Sequence, residues 1–250
     1  MKLYVYSVIS PSQRVVSVEI EKIESVIGLI VPSDSLKVTN ATVRIVSGKG
    51  TIGLWYDRTN KFYRVSADTL PIKPKLTYTL LVNMPEGLSA KATCTVPDTV
   101  LKNEDISIVY SQKVENTTLD TTFLAQATFK NIDGESDYYD LIYDKFLVNN
   151  NQSRINFSVS WGLFEGKNNL GKSLVSKLSD YQPQRRRGQS REFSILSVLT
   201  TDVNYYRYHK TLLEFQLSKS NPFAESSPIF SNVEGGVGVF AAYIRNSKLL

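Results

Sequence analysis

Apolar and polar positions alternate along most of this chain. Leu3, Val5 and Ser7 trade sides with Tyr4, Tyr6 and Val8, and Val16, Val18 and Ile20 trade sides with Ser17, Glu19 and Glu21. A period of two places each set on its own face of a pleated strand. The same alternation returns over residues 42–46, 62–65, 77–82 and 90–96. Turn residues separate the runs: Ser47-Gly-Lys-Gly50, Asp57-Arg-Thr-Asn60 and Pro85-Glu-Gly87. Short strands every ten residues or so predict an immunoglobulin-like or transthyretin-like β-sandwich over residues 1–98. Residues 23–30 fit either a strand or a short helix.

Residues 97–103 read as a linker into a second, larger β-rich domain, 104–250. Its strands are expected over 105–111, 119–130, 136–145, 154–164 and 193–200, rich in the Tyr, Phe, Thr and Val that suit a half-buried pleated surface. Asn149-Asn-Asn151 marks a turn, and 166–188 reads as a polar, irregular insertion. The period then changes. Asp202 is placed to cap a helix over about 203–218, on which Tyr205, Tyr208, Leu212 and Phe215 form one stripe. Tyr206, Leu213 and Leu217 widen that stripe, which predicts packing across the sheet of the second domain. Pro222 stops the helix, Phe223 turns the chain back, and Gly235, Gly236 and Gly238 lead a final core strand. The expected fold is thus all-β with one packed helix, in two β-sandwich-like domains.

Composition adds little to this pattern. The 250 residues are 42% hydrophobic and 21% charged, as in ordinary globular domains. A net charge of +5, spread along the chain, is no nucleic-acid footprint. One Cys excludes an internal disulfide, and one His with one Cys leaves a zinc site short of its usual ligands. No run of ~18 apolar residues offers a membrane-spanning helix. Cys94 reads as a small buried strand residue.

Candidate chemistry is sparse. Gly166, Gly171, Lys172 and Ser173 fit the spacing G-x-x-x-x-G-K-[ST] of a phosphate-cradling loop. Such a loop requires a strand before it and a helix after it, here about 174–180, in a parallel βαβ layer. The upstream chain reads as antiparallel, so nucleotide binding ranks as the weakest reading. His209 lies in the tyrosine-rich helix with no nucleophile or acid spaced to join it. Asp133, Glu135, Asp137 and Asp140 lack the ligand spacing of a calcium loop. No catalytic, cofactor or metal residue is therefore expected. The one clustered charge, Arg185, Arg186 and Arg187 with Tyr181 nearby, is the candidate contact for an acidic partner. Trp55, Tyr56 and Tyr63 form a candidate aromatic platform or, more simply, a hairpin-stabilising set.

The stretch 221–240, NPFAESSPIFSNVEGGVGVF, resembles the C-terminal signature of a Bacteroidota outer-membrane lipoprotein family, domain of unknown function 4249. That signature reads NPF(A/S)EP, a short strand, then SN(I/V)ENG(L/V)G(I/V)F. This chain departs from it at Ser227-Pro228 and at Gly235. YYRYHKTLLEF, KLYVYSVIS and DGESDYY are similar to the family as well. The resemblance implies a signal and a lipid-modified Cys upstream of Met1, and a place at the cell envelope on the outer membrane. It implies a non-enzymatic accessory or ligand-binding partner of a TonB-dependent β-barrel transporter, with a glycan or peptide as possible ligand. A stand-alone surface adhesin or glycan-binding protein is the alternative.

Overall fold

A computed structural model of the chain describes residues 2–23, 36–48, 50–98, 101–114, 121–132, 138–149, 152–167, 172–187, 190–219 and 228–250. In chain order the first strands are β1 (Lys2–Ile9), β2 (Val15–Ile23), β3 (Thr42–Ser47), β4 (Gly50–Asp57), β5 (Phe62–Ser66), β6 (Thr77–Asn83) and β7 (Ser89–Thr95). A 3-10 turn, Asn103–Asp105, leads into β8 (Ile106–Val114), β9 (Thr121–Lys130), β10 (Tyr138–Asn149) and β11 (Gln152–Glu165). Three short strands follow, β12 (Ser173–Val175), β13 (Ser179–Asp180) and β14 (Arg185–Arg187), then β15 (Ser190–Thr201), helix α1 (Val203–Lys219) and β16 (Gly236–Leu249). The described chain is therefore mostly β with one α-helix. It divides into two compact units, Met1–Asp98 with Thr201–Ile244, and Thr99–Thr200 with Arg245–Leu250.

In the first unit the strands follow the path β16-β1-β2-β5-β4-β3-β6-β7. β2 pairs with β1 through its C-terminal half and with β5 through its N-terminal half, and β4 divides itself between β3 and β5 in the same way. The strand path bends at these two strands, and its far end, β7, returns to the residues leading into β16 through a single bridge, Lys91 to Glu234. Every pair along the path is antiparallel except β1 with β16, which run parallel from Leu3–Gly236 to Ile9–Ala242. The alternation read in the sequence explains the core. Leu3, Val5, Ile9, Val16, Val18, Ile20, Ile45 and Phe240 are all fully buried on the inner faces. Each such side chain contributes about 1.5–3 kcal/mol against exposure to water.

Close backbone approach sets the residue at position 238. Gly238 has φ +118°, and a Cβ there would run into the carbonyl oxygen of Val5 on the parallel neighbour. Only glycine meets both conditions.

Helix α1 meets β16, within the 104–250 stretch on whose sheet its apolar stripe predicts packing, and it also lies on β1, outside that stretch. Tyr208 hydrogen-bonds through its hydroxyl to that of Tyr4 at 3.0 Å, and its ring lies 5.9 Å from Tyr6. Tyr205 stands edge-on to Tyr243 of β16. The physical reason is the second face of β1. Tyr4 and Tyr6 point away from the core and offer the tyrosine stripe an aromatic bed. Tyr205 and Tyr208 are buried there, while Leu213 and Leu217 farther along are exposed.

The second unit holds β11-β10-β15, with β14 added to β15, and a four-stranded sheet in which β8 covers one side of β9 while β12 and β13 share the other. Its core gathers Ile106, Ala127, Phe129, Tyr139, Leu141, Tyr143, Leu196 and Val198. Within 166–188, which its polarity predicts as an irregular insertion, the described residues form the three short strands β12, β13 and β14. Leu174 is buried opposite Phe129, so two or three residues at a time satisfy the edge of β9. The turn expected at 149–151 and the assignment for 23–30 fall almost wholly outside the described residues.

Candidate functional site

In the first unit, β7 meets the approach to β16 at a closed corner. Lys91 and Glu234 exchange two backbone hydrogen bonds, 3.0 and 2.8 Å long. The Thr93 carbonyl accepts from the side-chain amides of Asn232, at 3.1 Å, and Asn204, at 3.2 Å. Asn232 also donates to the Phe240 carbonyl at 2.8 Å and accepts from the Phe240 amide at 3.0 Å, as a neighbouring strand would. These bonds occupy an edge that would otherwise carry open donors and acceptors. Gly235 completes the corner at φ +74°, where a Cβ would strike the Ser89 carbonyl.

A cavity of about 250 Å³ opens at this corner, lined by Leu81, Asn83, Ser89, Lys91, Glu234 and Gly235 among others. Register explains the set. Leu81 pairs with Lys91 and Asn83 with Ser89, so all four project from the outer face, while Leu80, Val82, Ala90 and Ala92 fill the core on the other. Glu234 stands directly across from Lys91 and shares its face. The cavity thus carries one cation and one anion beside an amide, a hydroxyl and an apolar side chain.

Residues 1–248 match the profile of a family described as a domain of unknown function, DUF4249. The chain belongs to that family. No curated protein matches it. In this DUF4249 chain the glycine-rich stretch that carried the resemblance builds the corner just described, from Phe230 to Phe240. The part before it, 220–227, lies outside the described residues.

Behind the corner, the start of α1 gathers buried titratable groups. Asp202 caps the helix, accepting from the Tyr205 amide at 2.8 Å, and its own amide donates to the Ala242 carbonyl at 2.9 Å. Burial pushes its carboxyl up to about 7, against the opposing pull of hydrogen bonds from backbone amides and Asn204. Cys94 is buried, as its strand position predicts, and burial together with Asp202 raises its thiol well above the ordinary range. His209 packs 4.2 Å from the Tyr205 ring, its Nε2 buried without a hydrogen-bond partner, and burial lowers it to about 4. The rings of Tyr205 and Tyr208 both pack against this imidazole.

The remaining sequence candidates separate. Tyr181 packs beside β9, its amide bonded to the Phe123 carbonyl at 2.9 Å and its ring 5.4 Å from Tyr110. Arg185, Arg186 and Arg187 form β14 against β15, opposite Glu192, Arg191 and Ser190, a strand where the sequence predicts a loop. Trp55 and Tyr63 take opposite faces. Trp55 is exposed with the Arg64 guanidinium 5.2 Å over its ring, and Tyr63 is buried edge-on to Tyr56. They form no common platform.

The phosphate-loop spacing loses its context. Ser173–Val175 is a strand antiparallel to β9, where the pattern requires a helix. Of the acidic cluster, 133–137 lies outside the described residues, and Asp140 is buried in β10 accepting from the Ser160 hydroxyl at 2.5 Å. Among the described residues no three His, Cys, Asp or Glu side chains gather as a metal site. The cavity escaped sequence reading because Lys91 and Glu234 meet only after the chain has closed on itself.

Proposed function

We propose that this chain is a non-enzymatic accessory protein of the cell envelope, lipid-anchored at the outer membrane, that docks an extended segment of a TonB-dependent transporter on β8. In this reading the first unit, sandwich-like and akin to immunoglobulin or transthyretin modules, recognises ligand. The second unit docks. The envelope setting comes from the resemblance of the 221–240 stretch to a lipoprotein family of Bacteroidota.

The observation that carries the docking role is the open edge of β8. Among the described strands, β8 pairs with β9 alone. The Ile106 amide donates to the Asn103 carbonyl and its carbonyl accepts from Lys248 Nζ at 2.8 Å, so both groups turn away from β9. Alternation then turns the amides and carbonyls of Ile108, Tyr110, Gln112 and Val114 to the same open side. Val109, Tyr110 and Val114 stay 63, 48 and 50% exposed. An edge that no described strand pairs with, here from Ile108 to Val114, is what strand addition requires.

Gln112→Pro tests it, because the substitution deletes an outward N–H and leaves the β9 ladder intact. Wild-type chain is expected to co-purify with an outer-membrane β-barrel transporter from its native host, and the variant to lose it without a change in melting temperature. Equal recovery by both, or no barrel in either, refutes the docking role. The exposed Tyr110 ring beside Tyr181 favours a second reading, a glycan-binding adhesin. Glycan-array binding lost in Tyr110→Ala, with no barrel partner, would select it.

A further inference from the structure

Among the described residues are two isolated antiparallel bridges, and each joins a lysine to a glutamate. They are Glu21 with Lys37, and Lys91 with Glu234. Directly opposed residues of this kind place their side chains on one face within easy reach of each other. At the first bridge they close into an ion pair, Lys37 Nζ to Glu21 at 2.6 Å, which Glu19 joins at 3.6 Å. At the second no ion pair forms among the described residues. There the two charged side chains line the cavity of about 250 Å³. Lys91 and Glu234 form a hydrogen-bonded pair, whose side chains stand farther apart than those of the non-hydrogen-bonded pair Glu21 and Lys37, and their open charges coincide with a hollow.

We propose that this hollow is a binding site for a small zwitterion of the amino-acid class, with the ligand carboxylate on Lys91 and its ammonium on Glu234. Asn83 and Ser89 supply neutral donors and acceptors beside the charges, and Leu81 supplies an apolar wall for a side chain. Size agrees with the class. The hollow holds the equivalent of about eight waters and falls below the roughly 300–1,000 Å³ of sites for drug-sized ligands. Charge agrees as well. A simple anion would meet Glu234 and a simple cation would meet Lys91, so only a molecule bearing both charges engages both without repulsion. Gly235 keeps the rim free of a side chain, because a Cβ there would strike the Ser89 carbonyl.

The site lies in the first unit and stands apart from the docking role of β8, so neither outcome decides the other. Isothermal titration of the full chain with L-leucine, N-acetyl-leucine and leucinamide tests it. Leucine is expected to bind, and each blocked form to bind at least about tenfold more weakly, the scale of one lost charge-assisted contact. Lys91→Gln and Glu234→Gln are each expected to weaken leucine by about the same factor. Glu21→Gln, at the other bridge, is expected to leave it unchanged. Circular dichroism establishes that the variants fold, since their backbone bridge needs no side chain. Wild-type chain that takes up no leucine at about 10 mM overturns the proposal at the weak end of useful affinity. Blocked forms that bind as tightly as leucine overturn it equally.

Discussion

Two buried groups at the start of α1 should bias stability in opposite directions with pH, and each can be silenced by one substitution. Asp202 has its carboxyl raised from 3.8 to about 7 by burial. The folded chain therefore holds that proton more tightly than the unfolded chain does. The resulting stabilisation is complete below the unfolded value and disappears as pH rises through about 7. His209 has its imidazole lowered from 6.5 to about 4 by burial. Its stabilisation is present above 6.5 and disappears as pH falls through about 4. Acidifying from about pH 8 to about pH 5 should add roughly 2.5 kcal/mol through Asp202 and remove roughly 2 kcal/mol through His209. In the wild type the two nearly cancel. Asp202→Asn preserves the helix cap and removes the first contribution, so its stability relative to wild type should fall by about 2.5 kcal/mol over that interval. His209→Phe removes the second, and its relative stability should rise by about 2 kcal/mol. Urea unfolding followed by tryptophan fluorescence at the two pH values measures both, and differencing against wild type cancels every other titrating group. If the wild type and Asp202→Asn run parallel within about 0.5 kcal/mol, the carboxyl of Asp202 is not held protonated by burial.

Two further perturbations probe the corner and the parallel seam. Gly238→Ala forces a side chain into positive φ and against the Val5 carbonyl, and should cost about 3 kcal/mol or more in chemical denaturation. A cost below about 1 kcal/mol would show that β1 and β16 are not so closely apposed. Asn232→Ala strips the buried Phe240 amide and carbonyl of their side-chain partner and leaves the Thr93 carbonyl with Asn204 alone, at about 2–4 kcal/mol. Hydrogen exchange should show the Phe240 amide losing protection before other β16 amides do.

Much of the fold is legible residue by residue. Strands β1, β2, β6 and β7 follow from alternation alone, and α1 from its cap and period. What local pattern omits is partnership. Nothing in 2–9 or 236–249 announces that these strands pair in parallel, because that contact spans nearly the whole chain. The tyrosine stripe of α1 shows that the helix packs but not on what, and the deciding signal was the outer pair Tyr4 and Tyr6. β12, β13 and β14 are too short for any periodic window. The phosphate-loop spacing misleads for the opposite reason, since a matching string carries no information about the strand that Ser173 enters. The glycines at 235, 236 and 238 mark the entry to the final strand in the sequence. Their charged neighbour Lys91 is not marked there, because the pairing that joins them arises from closure.

The parallel seam also fixes an order of events during synthesis. β1 leaves the ribosome about 230 residues before its partner β16. Nearly all of the second unit is translated in between. That unit can therefore settle while the first remains a half-finished shell, its leading strand waiting with one edge bare. A nascent chain stalled before Gly236 would expose that edge to whatever lies nearby, so chaperone capture of this protein should concentrate on β1 until β16 arrives.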